Sequence, residues 1–343
     1  MAPNFVLGAK KSSTYPRGYA CGFVAPAAAL DGHFEHPGEP KMQSAKLRNR
    51  SEIFNFAVRG ERMTFAERML RIDRRIIFLL IGVCTLIPLL YPVGLAIKVS
   101  SEVRGVYDYI EALPEGSVFL LSLDFDPASK PELYPQAIAL LRHAFKKNLR
   151  VIGMTLWVSG TGMADQVVTQ VAKEMGKVSG KDYVFLGWSP GVSSLIISMG
   201  QDLFKAFPSD YYGNPTKDLA VLNGVLTLRD VNYVVSLAAG TAGIETWYVF
   251  GKDKYRFELG GGCTGVIAPG LYPLLRSGQI NGLIGGLRGA AEYEVLIGQK
   301  GRAVAGMDAQ SATHFAIIGL VILCNLFYFS MMRSRGGAAS SSP

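Results

Sequence analysis

The sequence predicts an α/β protein: a Rossmann-like three-layer domain with a mostly parallel sheet, inserted between two transmembrane helices. Three observations predict it. Between residues 99 and 310, short and nearly continuous apolar runs alternate with longer amphipathic stretches, the pattern of buried parallel strands and covering helices. Two uncharged apolar runs flank that region, 22 residues at Ile76–Ile97 and 21 at Ala312–Met332. About 20 such residues cross a hydrocarbon core. Finally, 49% of the residues are hydrophobic and only 18% are charged, which excludes a disordered chain.

Residues 1–60 of the 343-residue chain are rich in Gly, Pro and Ala without helical or strand periodicity, so they read as a disordered cytoplasmic tail. Residues 61–75 form a basic juxtamembrane segment. Up to residue 75 there are 13 Lys and Arg against 7 Asp and Glu, a net of +6; residues 99–310 hold 19 against 20, a net of −1. The basic character thus belongs to the termini, and the middle region carries no electrostatic footprint for nucleic acid. Arg59, Arg62, Arg68, Arg71, Arg74 and Arg75 precede the first span, and Arg333 and Arg335 follow the second. The positive-inside rule then puts both termini in the cytoplasm, in a bacterial inner membrane, with residues 99–310 periplasmic or extracellular. Pro88 and Pro92 are expected to kink or fray the first span. A short cytoplasmic tail, 333–343, ends the chain.

Inside the outer domain a helix over Ser101–Leu113 leads into the sheet. The expected strands are Ser117–Leu123, Arg150–Trp157, Tyr183–Gly187, Val231–Leu237 and Tyr255–Leu259. Helices are expected at Glu132–Lys147, Met163–Lys177, Ser193–Phe207, Lys217–Arg229 and Gly243–Gly251. Each strand runs into small, polar or acidic residues, and open parallel sheets bind ligands at their carboxyl ends. Ser129, Gly160, Thr161, Gly162, Gly240, Thr241, Gly261 and Thr264 are therefore candidate ligand-binding residues, although such loops also use Gly, Ser and Thr simply to turn and cap.

Asp124 and Asp126 form the most suggestive chemical pair. Two carboxylates at a strand end can hold Mg²⁺ or divide nucleophile and acid roles. They resemble the first motif of haloacid-dehalogenase-type phosphatases, but Ala128 stands where that family wants Thr or Val. The later acidic pair is also missing at Ala239-Gly240-Thr241. Turn formation and helix capping are the plainer roles. Cys263 and His143 are the only Cys and His of the domain, too few for a structural zinc site. The overlapping small-x-x-x-small spacings of Gly282, Gly285, Gly286 and Gly289, with Arg288 among them, suggest a helical close-packing surface for self-association or a partner helix.

The stretches FKKNLRVIGMTLW (145–157), DYVFLGWSPG (182–191), GLIGGLRGAAEYE (282–294) and GMDAQS (306–311) resemble a group of bacterial two-pass membrane proteins with an α/β domain between the spans. The resemblance implies topology and no reaction. The expected function is a membrane-anchored, non-enzymatic component of an envelope assembly or transport system. Its outer domain would bind a partner protein or small ligand, with the bilayer and a second copy or membrane-complex subunit as partners. No cofactor is expected. The rival is an extracytoplasmic hydrolase or transferase that uses Asp124 and Asp126 with Mg²⁺.

Overall fold

The strand β1, Val118–Asp124, is buried along its whole length, as a strand covered on both faces must be. In a computed structural model, which describes residues 73–240 and 242–339, it sits at the centre of a six-stranded sheet. The others are β2 (Arg150–Thr155), β3 (Tyr183–Trp188), β4 (Tyr233–Ala238), β5 (Glu258–Cys263) and β6 (Leu283–Gly285). Every pairing is parallel and the order is β3-β2-β1-β4-β5-β6. That is the doubly wound, Rossmann-like order, whose reversal point falls between β1 and β4.

Two layers of helices cover the sheet. One contains α2 (Ser101–Ala112), α3 (Lys130–Lys146), α4 (Thr161–Glu174) and α7 (Gly286–Leu296). Their apolar faces meet Phe119, Leu121 and Leu123 of β1. On the opposite face, α5 (Val192–Gln201), α6 (Ala268–Arg276) and the buried Trp247 pack with Val118 and Leu120. The strand's period of two splits its side chains between two cores.

Four expectations need correction. Lys217–Arg229 is not a helix but a series of single 3₁₀ turns, Thr216–Asp218, Ala220–Leu222 and Leu228–Asp230. There Asp230 accepts the amides of Leu226 and Thr227, the local capture that competes with helix formation. Gly243–Gly251 is one α-turn, Ile244–Trp247, continued by a π-turn, Tyr248–Lys252. The fifth strand starts at Glu258 rather than Tyr255 and includes Gly260–Gly262. Side chains of Tyr233, Ile244, Leu237 and Gln136 fill the space a Cβ would take there, so these glycines serve close approach rather than a loop. Finally, Gly282–Gly285 is not helical: it holds β6, and the helix begins only at Gly286.

Two further helices leave the domain. The helix α1, Arg74–Leu90, stops seven residues short of the expected span end at Ile97; Pro92 disfavours α geometry in the residue before it. The helix α8, Arg302–Ala339, is continuous, and its Arg302–Ser330 portion is the one helix among the described residues long and apolar enough to cross a membrane. The two helices pack together, and Thr85 Oγ1 lies 2.8 Å from Thr313 Oγ1. The expectations for residues 1–60 and for most of 61–75 lie outside the described residues.

Candidate functional site at the carboxyl edge of the sheet

Asp124 ends β1 at the reversal point and is completely buried. Its Oδ1 accepts the Leu156 amide at 2.7 Å and the Ser122 hydroxyl at 2.8 Å; Oδ2 accepts the Ser236 hydroxyl at 2.9 Å. One carboxyl group thereby fastens β1, β4 and the loop that leaves β2. Burial pushes its pKa up to about 7, and the bonds from Leu156, Ser122 and Ser236 act against that rise. Trp247, whose buried indole N–H has no partner at full hydrogen-bond geometry, adds a weaker favourable interaction.

Asp126, two residues on, does something separate. Its Oδ1 accepts the Ser129 hydroxyl at 2.7 Å and the Ser129 amide at 3.1 Å, and these bonds hold its carboxyl below the usual range. Ser129 is thus occupied in closing the turn before α3. The two aspartates face different partners. No group of three or more His, Cys, Asp or Glu side chains gathers in metal-binding geometry among the described residues.

The loops around this point interlock. Gly160 is buried with its Cα against the Phe125 carbonyl, and Gly240 lies under the Trp157 ring. The Trp157 indole N–H donates to the Ala242 carbonyl at 2.8 Å. The crevice over the β1–β4 reversal is therefore roofed, and open space lies to either side. One cleft of about 300 Å³ is lined by Ala238, Gly240, Ile244, Glu245, Val266 and Leu271, among others. The second, of about 500 Å³, lies beyond β2 and β3 and includes Val158, Thr161, Trp188, Ser189 and Asp210. Of the expected ligand residues, Gly240 and Thr161 line a cleft. Gly162 is exposed, Thr264 starts the turn into α6, Gly261 is inside β5, and Thr241 lies outside the described residues.

Gln136, invisible to motif reading, is buried in α3 and donates to the carbonyls of Cys263 and Gly286. Cys263 is itself buried; desolvation first, then the charge of Glu132, pushes its thiol up to about 12. It does not meet His143, which lies between Tyr293 at 2.7 Å and Glu111 at 2.9 Å. Burial lowers the pKa of His143, while Glu111 opposes that effect.

The glycine segment finds its neighbours within the chain. Gly282 packs on Val106 of α2, and Gly289 on Ile284. Gly286 adopts φ +60° with its would-be Cβ 3.1 Å from Glu132 Oε2 and from Gly265. The close approach is made within the domain, while Gly285, whose would-be Cβ lies 3.4 Å from Ala268 Cβ, lines a small cleft with Arg288 and Gly289. Arg288 remains exposed and bonds Glu292 at 2.9 Å.

Three buried acids, of which sequence reading noted only Glu292 as the i+4 partner of Arg288, hold the connections between this domain and the apolar helices. Glu292 accepts the Ser100 amide at 2.9 Å and the Ser100 hydroxyl. Glu294 accepts the amides of Gly301, Ala303 and Val304 at 2.9–3.1 Å, which caps α8. Asp308 accepts the amides of Gly94 at 2.7 Å and Leu95 at 3.2 Å. An acid inside an apolar stretch, as in GAAEYE and GMDAQS, is the one trace they leave in the sequence.

The fold defines the class: a Rossmann-like α/β domain with an all-parallel six-stranded sheet and one helix of membrane-spanning length and composition. No protein-family model, curated protein or solved structure matches the chain.

Proposed function

We propose that this protein is a two-pass, membrane-anchored binding component. In this reading α1 and α8 cross the membrane, both termini are cytoplasmic, and the α/β domain lies outside to bind a partner protein or small ligand in an envelope assembly or transport system. One observation carries the reading. Glu294 of the domain caps the start of α8, Glu292 holds Ser100 at the entry to α2, and Asp308 of α8 holds Gly94 and Leu95 in the segment that follows α1. Buried, hydrogen-bonded acids resist being pulled apart, because separation leaves a desolvated charge without partners. The domain is thus a fixed platform rather than a head on a flexible stalk. The clefts beside the roofed reversal point supply its binding surface.

The test has two parts. A periplasm-dependent reporter fused within Lys177–Lys181 should be active, and one fused after Pro343 inactive; the reverse pattern rejects the topology. Titration of the purified protein with Mg²⁺ then weighs the hydrolase reading. Saturable binding abolished by Asp124→Asn would favour an enzyme and overturn the binding role. Gly270 lines the 300 Å³ cleft with open space where a side chain would go. Gly270→Leu should therefore release a companion that co-purifies stoichiometrically in mild detergent, with the melting temperature unchanged.

A further inference from the structure

We propose that the carboxyl edge of the sheet is turned toward the bilayer and rests on the headgroup–acyl boundary through Val158, Trp188, Val266 and Tyr272. This rests on the membrane anchoring proposed above.

Chain direction supplies the first argument. The helix α7 starts at Gly286, immediately beyond the carboxyl end of β6, and runs away from that edge to Leu296. Glu294 near its far end caps α8. From there α8 doubles back, so that Gly306 faces Leu287 in the first turn of α7. The chain has thus returned to the carboxyl-edge level just before its apolar stretch continues from Ala309. The other connection does the same in reverse. Ser100, at the start of α2, shares a small cleft with Gly285 and Gly289, whereas Val106 lies against Gly282 at the start of β6. Asp308 ties the two connections together at Gly94 and Leu95. Both apolar helices therefore depart from the side of the domain where the strands end.

Composition supplies the second, independent argument. The loops leaving β2, β3 and β5, residues 156–163, 188–194 and 264–270, contain no charged residue. They present Val158 at 64% exposure and Val266 at 88%, together with an exposed Trp188. Tyr272, within α6, is also exposed. At the opposite edge the segments 175–182 and 252–257 carry Lys177, Lys181, Asp182, Lys252, Asp253, Lys254 and Arg256. Water-facing loops gain from charge, while loops at a lipid boundary favour aliphatic side chains and the amphipathic rings of Trp and Tyr. The helices specify which edge meets the lipid, and the loops after β2, β3 and β5 at that edge have the composition lipid contact requires, whereas the loops after β1 and β4 add the acids Asp126 and Glu245. Any ligand of the two clefts then approaches along the membrane surface.

Site-directed labelling of the full chain in phosphatidylcholine vesicles tests this. With Cys21, Cys84 and Cys324 replaced by Ala and the buried Cys263 retained, bimane is attached singly at Val158→Cys, Val266→Cys, Lys181→Cys and Ile322→Cys. Each labelled protein is first checked for a cooperative thermal transition. Brominated lipids should quench the labels at 158 and 266 at least threefold more than the label at 181, with aqueous iodide showing the reverse order. The label at 322, within α8, should be quenched strongly by lipid. Strong quenching at 322 with equal quenching at 158, 266 and 181 overturns the proposed orientation while leaving the anchoring intact. Absence of lipid quenching at 322 overturns the anchoring and the orientation with it.

Discussion

At the carboxyl edge of the sheet Asp124 and Gln136 are buried and shared among several elements; at the amino edge polar side chains such as Arg142, Lys147 and Lys177 form pairs open to solvent. Asp124 alone fastens three segments from the interior, and Gln136 bridges the ends of β5 and β6. The amino edge instead shows exposed pairs such as Arg142–Glu174, Lys147–Glu111 and Lys177–Asn148. The difference teaches where stability is concentrated. A buried carboxylate without partners is costly in a low-dielectric interior, whereas solvent largely replaces what an exposed pair loses.

The largest effect is expected at Asp124. Asp124→Ala strands the Leu156 amide and two buried hydroxyls, a cost of about 2–4 kcal/mol. The thermal transition in detergent should fall by about 5–15 °C. Asp124→Asn isolates the charge. The folded carboxyl keeps its proton up to about pH 7, while the unfolded one releases it near the ordinary value of about 4. The folded state therefore binds more protons across that window, and the Asp124 contribution to stability must decline as pH rises from about 4 to 7 and then level off. Urea unfolding at a series of pH values should show this slope in the wild type and a flatter one in Asp124→Asn. Parallel profiles would mean that the aspartate titrates normally.

Gly286→Leu comes next. Its left-handed φ and its neighbours Gly265 and Glu132 leave no room for a side chain, so about 1–3 kcal/mol of overpacking is expected. The melting temperature should drop while the mass measured by light scattering stays constant. A change in mass would return this segment to the role of an interface between chains. Glu294→Ala removes the acceptor for three amides at the start of α8 and should cost about 1–2 kcal/mol, as loss of a cap does. Amide hydrogen exchange should accelerate at residues 301–304 before it does in β1. The smallest effect belongs to the amino edge: Arg142→Ala should change stability by about 0.2–1 kcal/mol, less in high salt. A loss as large as that of Asp124→Ala would abolish the contrast between the edges.

The central sheet was legible because its signals are local. The strands β1 to β4 are apolar runs of strand length, and the four helices from Ser101 to Gln201 that surround β1–β3 follow from amphipathic spacing. Where reading failed, long-range packing had overruled local preference. Three glycines became the middle of β5 because Tyr233, Leu237, Ile244 and Gln136 needed the room. Gly282–Gly285 became an edge strand because α2 and β5 flank it. The site was less legible than the fold. Asp124 and Asp126 read as a pair because a continuing strand would send residues i and i+2 to one face, but β1 ends at Asp124 and the turn after it redirects the second one.

By itself the sequence determined the class, the order of most elements, the apolar helix at the carboxyl terminus and the absence of charge from the loops after β2, β3 and β5. All of these depend on the periodicity or composition of contiguous residues. Only the tertiary structure decided that Asp124 is a fastener rather than half of a metal site. It alone decided that Glu292, Glu294 and Asp308 hold the connections of the domain to the apolar helices, and that those connections lie toward the carboxyl edge. Each of these depends on groups about 10 to more than 200 residues apart meeting in space. Local spacing carries no record of such meetings, because the buried environment that gives these carboxylates their strength exists only once the chain has folded.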